Sequence, residues 1–170
     1  MVFLKPLCAS AVLLALSISC ASAQSAKANL ISGKGEETGK AEFTQTPAGV
    51  LIRLTLNNLP GERAMHIHAV GRCEPPFTTA GGHFNPGNKK HGLHSPDGHH
   101  AGDMPNLVVP ASGSTIVEVL NAAVTLEKGK PHSLIREGGT SIVVHEGKDD
   151  HKTDPAGDAG GRAACGVITE

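Results

Sequence analysis

The chain has no tryptophan and no tyrosine, and aromatic residues make up only 2% of its 170 positions. Helical periodicity is nearly missing too, which excludes an α/β architecture with crossover helices. The one long apolar run, Leu7 to Ile18, is too short to cross a membrane. The formal net charge is only −1, so the basic stripe that a nucleic-acid partner requires is lacking. Against these absences stands one dense segment, residues 83–103, HFNPGNKKHGLHSPDGHHAGD, with five histidines and two aspartates threaded by glycine and proline. No core buries that many polar rings, and no helix or strand pattern runs through them. Either the segment is a solvated loop, or something holds the rings in place.

The N-terminus indicates the compartment. MVFLKPLCASAVLLALSISCASA has a single early charge, Lys5, then the apolar run, then the small residues Ala21, Ser22 and Ala23. This is the pattern of a signal peptide over 1–23 cleaved after Ala23, leaving a single domain over 24–170 that is exported to the periplasm or outside the cell. A buried N-terminal helix and a lipid anchor at Cys20 are the rival readings, and only the second involves a membrane. Beyond the leader the chain keeps two cysteines, Cys73 and Cys165. In an oxidising compartment these read as one disulfide rather than two free thiols.

Short β-type segments separated by turns dominate the rest: AKANLI, KAEFTQT, GVLIRLTLNNL, RAMHIHAV, STIVEVL, TSIVVHE and RAACGVI. In the third, Ile52, Leu54 and Leu56 share one face, as in a half-buried antiparallel strand. Seven or so such strands without crossover helices predict an all-β sandwich or barrel. Residues 71–113 and 147–161 show no convincing element, and structureless stretches longer than about 15 residues in a compact domain are usually functional.

MHIH places His66 and His68 two apart, on one side of a strand, where both can approach one ion or simply face solvent. In the long segment, His83, His91, His100 and Asp103 combine three imidazoles with one carboxylate, a set suited to tetrahedral zinc. An ion held there would stand in for the hydrophobic core that the loop lacks. His145 ends an apolar strand in VVHEG, a place where a lone histidine is more often structural than liganding.

Taken together, MHIH, GGHFNPGNKKHG, HAGDMPNL, VVHE and GDAGGRAACGVI resemble, in order and spacing, the motifs of the copper/zinc superoxide dismutases of the secreted bacterial kind. The resemblance extends over essentially the whole chain beyond the leader. It implies a Greek-key antiparallel β-sandwich or flattened barrel with two long functional loops. It implies copper held by His66, His68, His83 and His145, and zinc held by His83, His91, His100 and Asp103, with His83 bridging the two. The His-x-x-Asp spacing of the family selects His100 over His99, and leaves His94, His132 and His151 without a role, as exposed residues. By the same resemblance Cys73 and Cys165 form the intrachain disulfide, and Arg162 lines the copper channel. Asp149 matches the aspartate that links a copper-side to a zinc-side histidine, here His66 and His91.

The implied activity is disproportionation of superoxide, with Arg162 and His83 as the residues that meet the substrate. Two departures stand out. Ala69 replaces the glutamate that usually follows His-x-His, and loop 147–161 looks short, which leaves charge guidance of the substrate open. The resemblance admits a homodimer, but the lack of tyrosine and tryptophan weakens the carry-over of the aromatic-containing bacterial interface. The rival functions are a metal buffer that binds without turnover and a structural relative that has lost its chemistry. A buffer has no use for the channel arginine, and a structural relative would have lost a copper ligand, whereas none is missing.

Overall fold

A computed structural model describes residues 23–170. Apart from Ala23, the signal peptide expected over 1–23 lies outside the described residues, as does Cys20. Nine strands follow in order: β1 (Ser25–Ser32), β2 (Glu37–Thr46), β3 (Gly49–Leu56), β4 (Gly61–Arg63), β5 (Met65–His68), β6 (Leu107–Val109), β7 (Thr115–Asn121), β8 (Ser141–His145) and β9 (Arg162–Val167). Among the described residues the only helical element is one 3₁₀ turn, Thr78–Ala80.

Seven strands form one antiparallel sheet in the order β5-β8-β9-β1-β2-β3-β7, curled into a half-barrel, and β4 pairs with β6 in a small second sheet. The connection from β7 to β8 skips across the large sheet, and the chain from β3 passes through β4 of the small sheet before returning as β5 at the far edge, as in a Greek key. Alternation sets which side of each strand faces the core. Ala26, Ala28 and Leu30 of β1, Ala41 and Phe43 of β2, and Val50, Ile52, Leu54 and Leu56 of β3 all point inward and are buried. Lys27, Lys40, Glu42 and Arg53 occupy the opposite, exposed faces.

β5 and β8 depart from this alternation because every residue in them is buried. Met65, Ile67, Ile142 and Val144 pack into the main core. On the other face, His66, His68 and His145 are covered by the two long connections, 69–106 and 146–161. The first of these carries its own small core, where Phe77 and Ala80 pack with Val143 and Cys165. The Cys73–Cys165 disulfide joins it to β9 across 92 residues of sequence.

Two expectations need correction. Stretch 71–113 contains a strand, β6, whose three residues lie between Asn106 and Pro110 and are too few to display a period. The segment RAMHIHAV is not one strand: Arg63 ends β4, and β5 takes only Met65–His68. At Ala64 the chain changes partner, from β6 on the β4 side to β8 on the β5 side.

Candidate metal centre

The edge of β5 that β8 does not pair with is where the long loop docks. Ile67 accepts a hydrogen bond from Phe84 N (2.8 Å) and donates to Gly102 O (2.9 Å), while Gly102 N donates to Phe84 O (2.8 Å). Two distant pieces of loop are thereby laid beside β5, which delivers His83 next to His68 and Asp103 next to His66. A Cβ at position 102 would collide with the Ile67 carbonyl, so only glycine allows this approach.

His83, His91, His100 and Asp103 converge as a buried group. Asp103 Oδ1 lies 2.9 Å from His83 Nδ1, 3.1 Å from His91 Nδ1 and 3.3 Å from His100 Nδ1. His100 Nδ1 is 3.4 Å from His83 Nδ1. The edge of a tetrahedron with metal–ligand bonds of about 2.0 Å is about 3.3 Å, so the four donor atoms have the spacing of a zinc shell. Asp103 Oδ2 is occupied elsewhere, accepting from the backbone N–H of Gly92 (2.9 Å) and His100 (3.0 Å). That pair of bonds fixes the carboxylate with Oδ1 aimed at the rings. His99 is exposed, and its Nδ1 faces the His100 carbonyl instead.

A second buried group, His66, His68, His83 and His145, adjoins the first through His83. His66 Nδ1 and His83 Nε2 are buried with no hydrogen-bond partner, and His68 Nε2 faces His145 Nε2 at 3.4 Å. Buried polar atoms are rarely left so. All-imidazole donors suit copper, whereas the carboxylate-containing group suits zinc. The residues present therefore fit both metals.

The outer nitrogens of His66, His68 and His91 are held. Asp149 Oδ2 lies 2.7 Å from His66 Nε2, and Oδ1 lies 3.0 Å from His91 Nε2. Asp150 turns outward to Thr153 and Lys152 and takes no part. His68 Nδ1 lies 2.9 Å from the Gly81 carbonyl. Arg162 begins β9 directly opposite His145, and its guanidinium donates to the carbonyls of Phe77 and Gly81 in the disulfide-tethered loop. Burial lowers its pKa from the usual arginine value.

Electrostatics divides the histidines. Burial holds His66 below its ordinary range and His68 well below it, pushes His83 to about 4, and pushes His145 to about 3 with help from His66 and His83. In His91 burial acts the same way, but bonds to Asp103 and Asp149 outweigh it and raise the pKa to about 9. Burial would raise both carboxyls, yet the surrounding imidazoles and N–H groups hold Asp103 and Asp149 far below the usual range.

Several contributors were not legible from their residue types. Asn106 accepts from Asp149 N and donates to Asp149 O, both at 2.8 Å, locking the backbone that carries that carboxylate. Gly157 has φ +66°, and a Cβ there would strike Asp149 and the His91 ring. Asp154 accepts from His91 N at 2.8 Å. His94 and His132 are exposed as expected, but His151 is not. Its backbone N–H donates to Asp149 Oδ1 at 2.6 Å, and its ring is tucked 3.6 Å from Asp149 Oδ2, because its positive φ folds the chain back onto that carboxylate.

The model for the family copper/zinc superoxide dismutase (SODC) matches residues 37–168. "Superoxide dismutase [Cu-Zn] 1" of Aquifex aeolicus is 57% identical over 144 residues, covering 83% of this chain and 85% of that protein. The crystal structure of a SOD-like protein from Bacillus subtilis superposes with a TM-score of 0.80 at 38% identity, covering 83% of this chain and 96% of the other. The Cu/Zn superoxide dismutase from Brucella abortus gives 0.70 at 27% identity, covering 86% and 100%. The chain belongs to the copper/zinc superoxide dismutase family.

Proposed function

We propose that this chain is a superoxide dismutase, converting two superoxide radicals and two protons into dioxygen and hydrogen peroxide in defence against superoxide outside the cytoplasm. The observation that carries this reading is the junction of two buried donor groups at His83, one of imidazoles only and one with a carboxylate, beside the guanidinium of Arg162. His66, His68, His83 and His145 would hold copper, and His83, His91, His100 and Asp103 would hold zinc. When bound, copper supplies the one-electron redox change and zinc a fixed positive charge without redox chemistry.

The chain's own residues do the rest. Arg162 offers N–H donors and positive charge to a small anion, and its hold on the Phe77 and Gly81 carbonyls keeps the fork in place. His83 Nδ1 belongs to the zinc-side group, so Nε2, which faces the copper side, is the nitrogen left to hold the proton for the forming peroxide. Asp149 keeps His66 and His91 in fixed orientation, as the outer partners of metal-bound histidines do.

Export to the periplasm or beyond, after cleavage of 1–23, fits the Cys73–Cys165 disulfide, since such bonds persist in oxidising compartments. The test of the functional reading is reconstitution of the protein with copper and zinc, with metal content and superoxide consumption followed together. One copper and one zinc per chain with fast turnover is expected. Bound metals without turnover would make the protein a metal buffer.

A further inference from the structure

The four imidazoles of the copper side are braced unequally. His66 has Asp149 at 2.7 Å, His68 has the Gly81 carbonyl at 2.9 Å, and His83 has Asp103 at 2.9 Å. His145 Nδ1 is buried with no partner at full hydrogen-bond geometry, and has only the Gly160 carbonyl beside it. His145 is also the last residue of β8, at the point where the register with β9 shifts. A ring with so slight a brace takes more of its direction from the backbone beneath it.

That backbone is held on two sides. His145 N donates to Ala64 O at 2.9 Å, and Glu146 N donates to Gly161 O at 2.9 Å. The carbonyl side is met by Arg63, at the end of β4. Its Nη1 donates to Glu146 O at 2.7 Å and reaches His145 O at 3.5 Å. Its Nη2 and Nε both donate to Pro60 O, at 2.7 and 3.1 Å. Among the described residues no carboxylate lies within ion-pair distance of Arg63, so this half-buried guanidinium is committed to carbonyls alone. Charged donors make stronger hydrogen bonds than neutral ones, and a planar fork is pre-organised to serve two separated carbonyls at once. The next residue, Ala64, also donates to Gly147 O at 2.7 Å, so β4 and the residues after His145 are fastened as one unit.

We propose that Arg63 is a positioning residue for the copper side. By clamping Pro60 to Glu146 it fixes the backbone on which His145 stands, and thereby the direction of the His145 imidazole. The inference rests on the reading of His145 as a copper ligand. It makes Arg63 specific to one metal: none of its contacts reaches His91, His100 or Asp103.

The experiment compares the full chain with Arg63→Ala and Arg63→Lys, measuring copper and zinc affinity separately and the visible and electron paramagnetic resonance spectra of the Cu(II) protein. Arg63→Ala is expected to lose about tenfold or more in copper affinity. Its zinc affinity should stay within about twofold, and its Cu(II) spectra should shift. Arg63→Lys, which keeps the charge and the stem, should fold as the parent does and fall between the two. Parent-like copper affinity and spectra in Arg63→Ala, or in Arg63→Lys if the alanine variant does not fold, would overturn the proposal. So would equal weakening of both metals, which is the mark of a general fold defect. If the parent itself binds no copper, the functional reading fails instead.

Discussion

Arg162 and His68 share one acceptor: the Gly81 carbonyl takes a hydrogen bond from Arg162 Nη2 at 2.6 Å and lies 2.9 Å from His68 Nδ1. The arginine expected to meet the substrate and a histidine expected to hold copper are thus tied to the same loop residue. That loop is in turn fastened to β9 by Cys73–Cys165, three residues beyond Arg162.

Opening the disulfide should therefore act on stability and on turnover. Closing a loop across 92 residues stabilises the fold by about 4–5 kcal/mol in the chain-entropy treatment. Cys73→Ser is expected to lower the melting temperature by roughly 10 °C or more. Turnover should fall even where both metals remain bound, because the Phe77 and Gly81 carbonyls no longer fix the guanidinium. Calorimetry and metal-normalised activity check this, and equal melting temperatures for oxidised parent and variant would contradict it.

The two buried aspartates should separate by which metals they affect. Asp103 touches three zinc-side rings, of which only His83 also belongs to the copper side, so Asp103→Ala is expected to weaken zinc far more than copper, with some activity kept. Asp149 touches one ring of each side. Asp149→Asn, with one oxygen left to serve two imidazoles, should weaken both metals by about 10- to 100-fold. Titration of each metal into the two variants measures the difference.

The metal-free protein should be most stable near pH 6.5. His83 and His145 have folded pKa values of about 4 and about 3, below the unfolded value, so the unfolded chain binds more protons than the folded one as pH drops below 6.5. Their burial therefore costs stability progressively down to pH 4 and 3. His91 has the opposite sign: raised to about 9, it contributes stability that is complete below the unfolded value and lost as pH rises through 9. Melting temperature against pH in chelator-treated protein should trace a dome, and a flat profile would contradict this balance.

Much of this was legible in the sequence because the signals are periodic or chemically rare. Ile52, Leu54 and Leu56 alternate, and all three are fully buried. The seven expected strand segments all appear, while β6, and β4 apart from Arg63, were missed because three residues carry no period. The histidines stand out by residue type. Asn106, Gly157 and His151 do not, because their roles depend on how loop 146–161 folds back over Asp149. No local pattern encodes that approach; it is set by backbone bonds such as Asp150 N to Gly157 O (2.9 Å) and Gly157 N to Thr153 O (2.6 Å).

The measurement that tests the account most directly is the superoxide turnover of the copper- and zinc-loaded protein beside Arg162→Ala, across a range of salt. Arginine is no ligand, so both metals should stay bound in the variant. Turnover should fall by about tenfold or more, corresponding to about 1.4 kcal/mol of barrier. Rising salt should slow the parent more than the variant, since screening acts on the attraction that the substitution removes. A variant that keeps full turnover and the parent's salt dependence would contradict the account, for Arg162 would then be an ordinary surface residue.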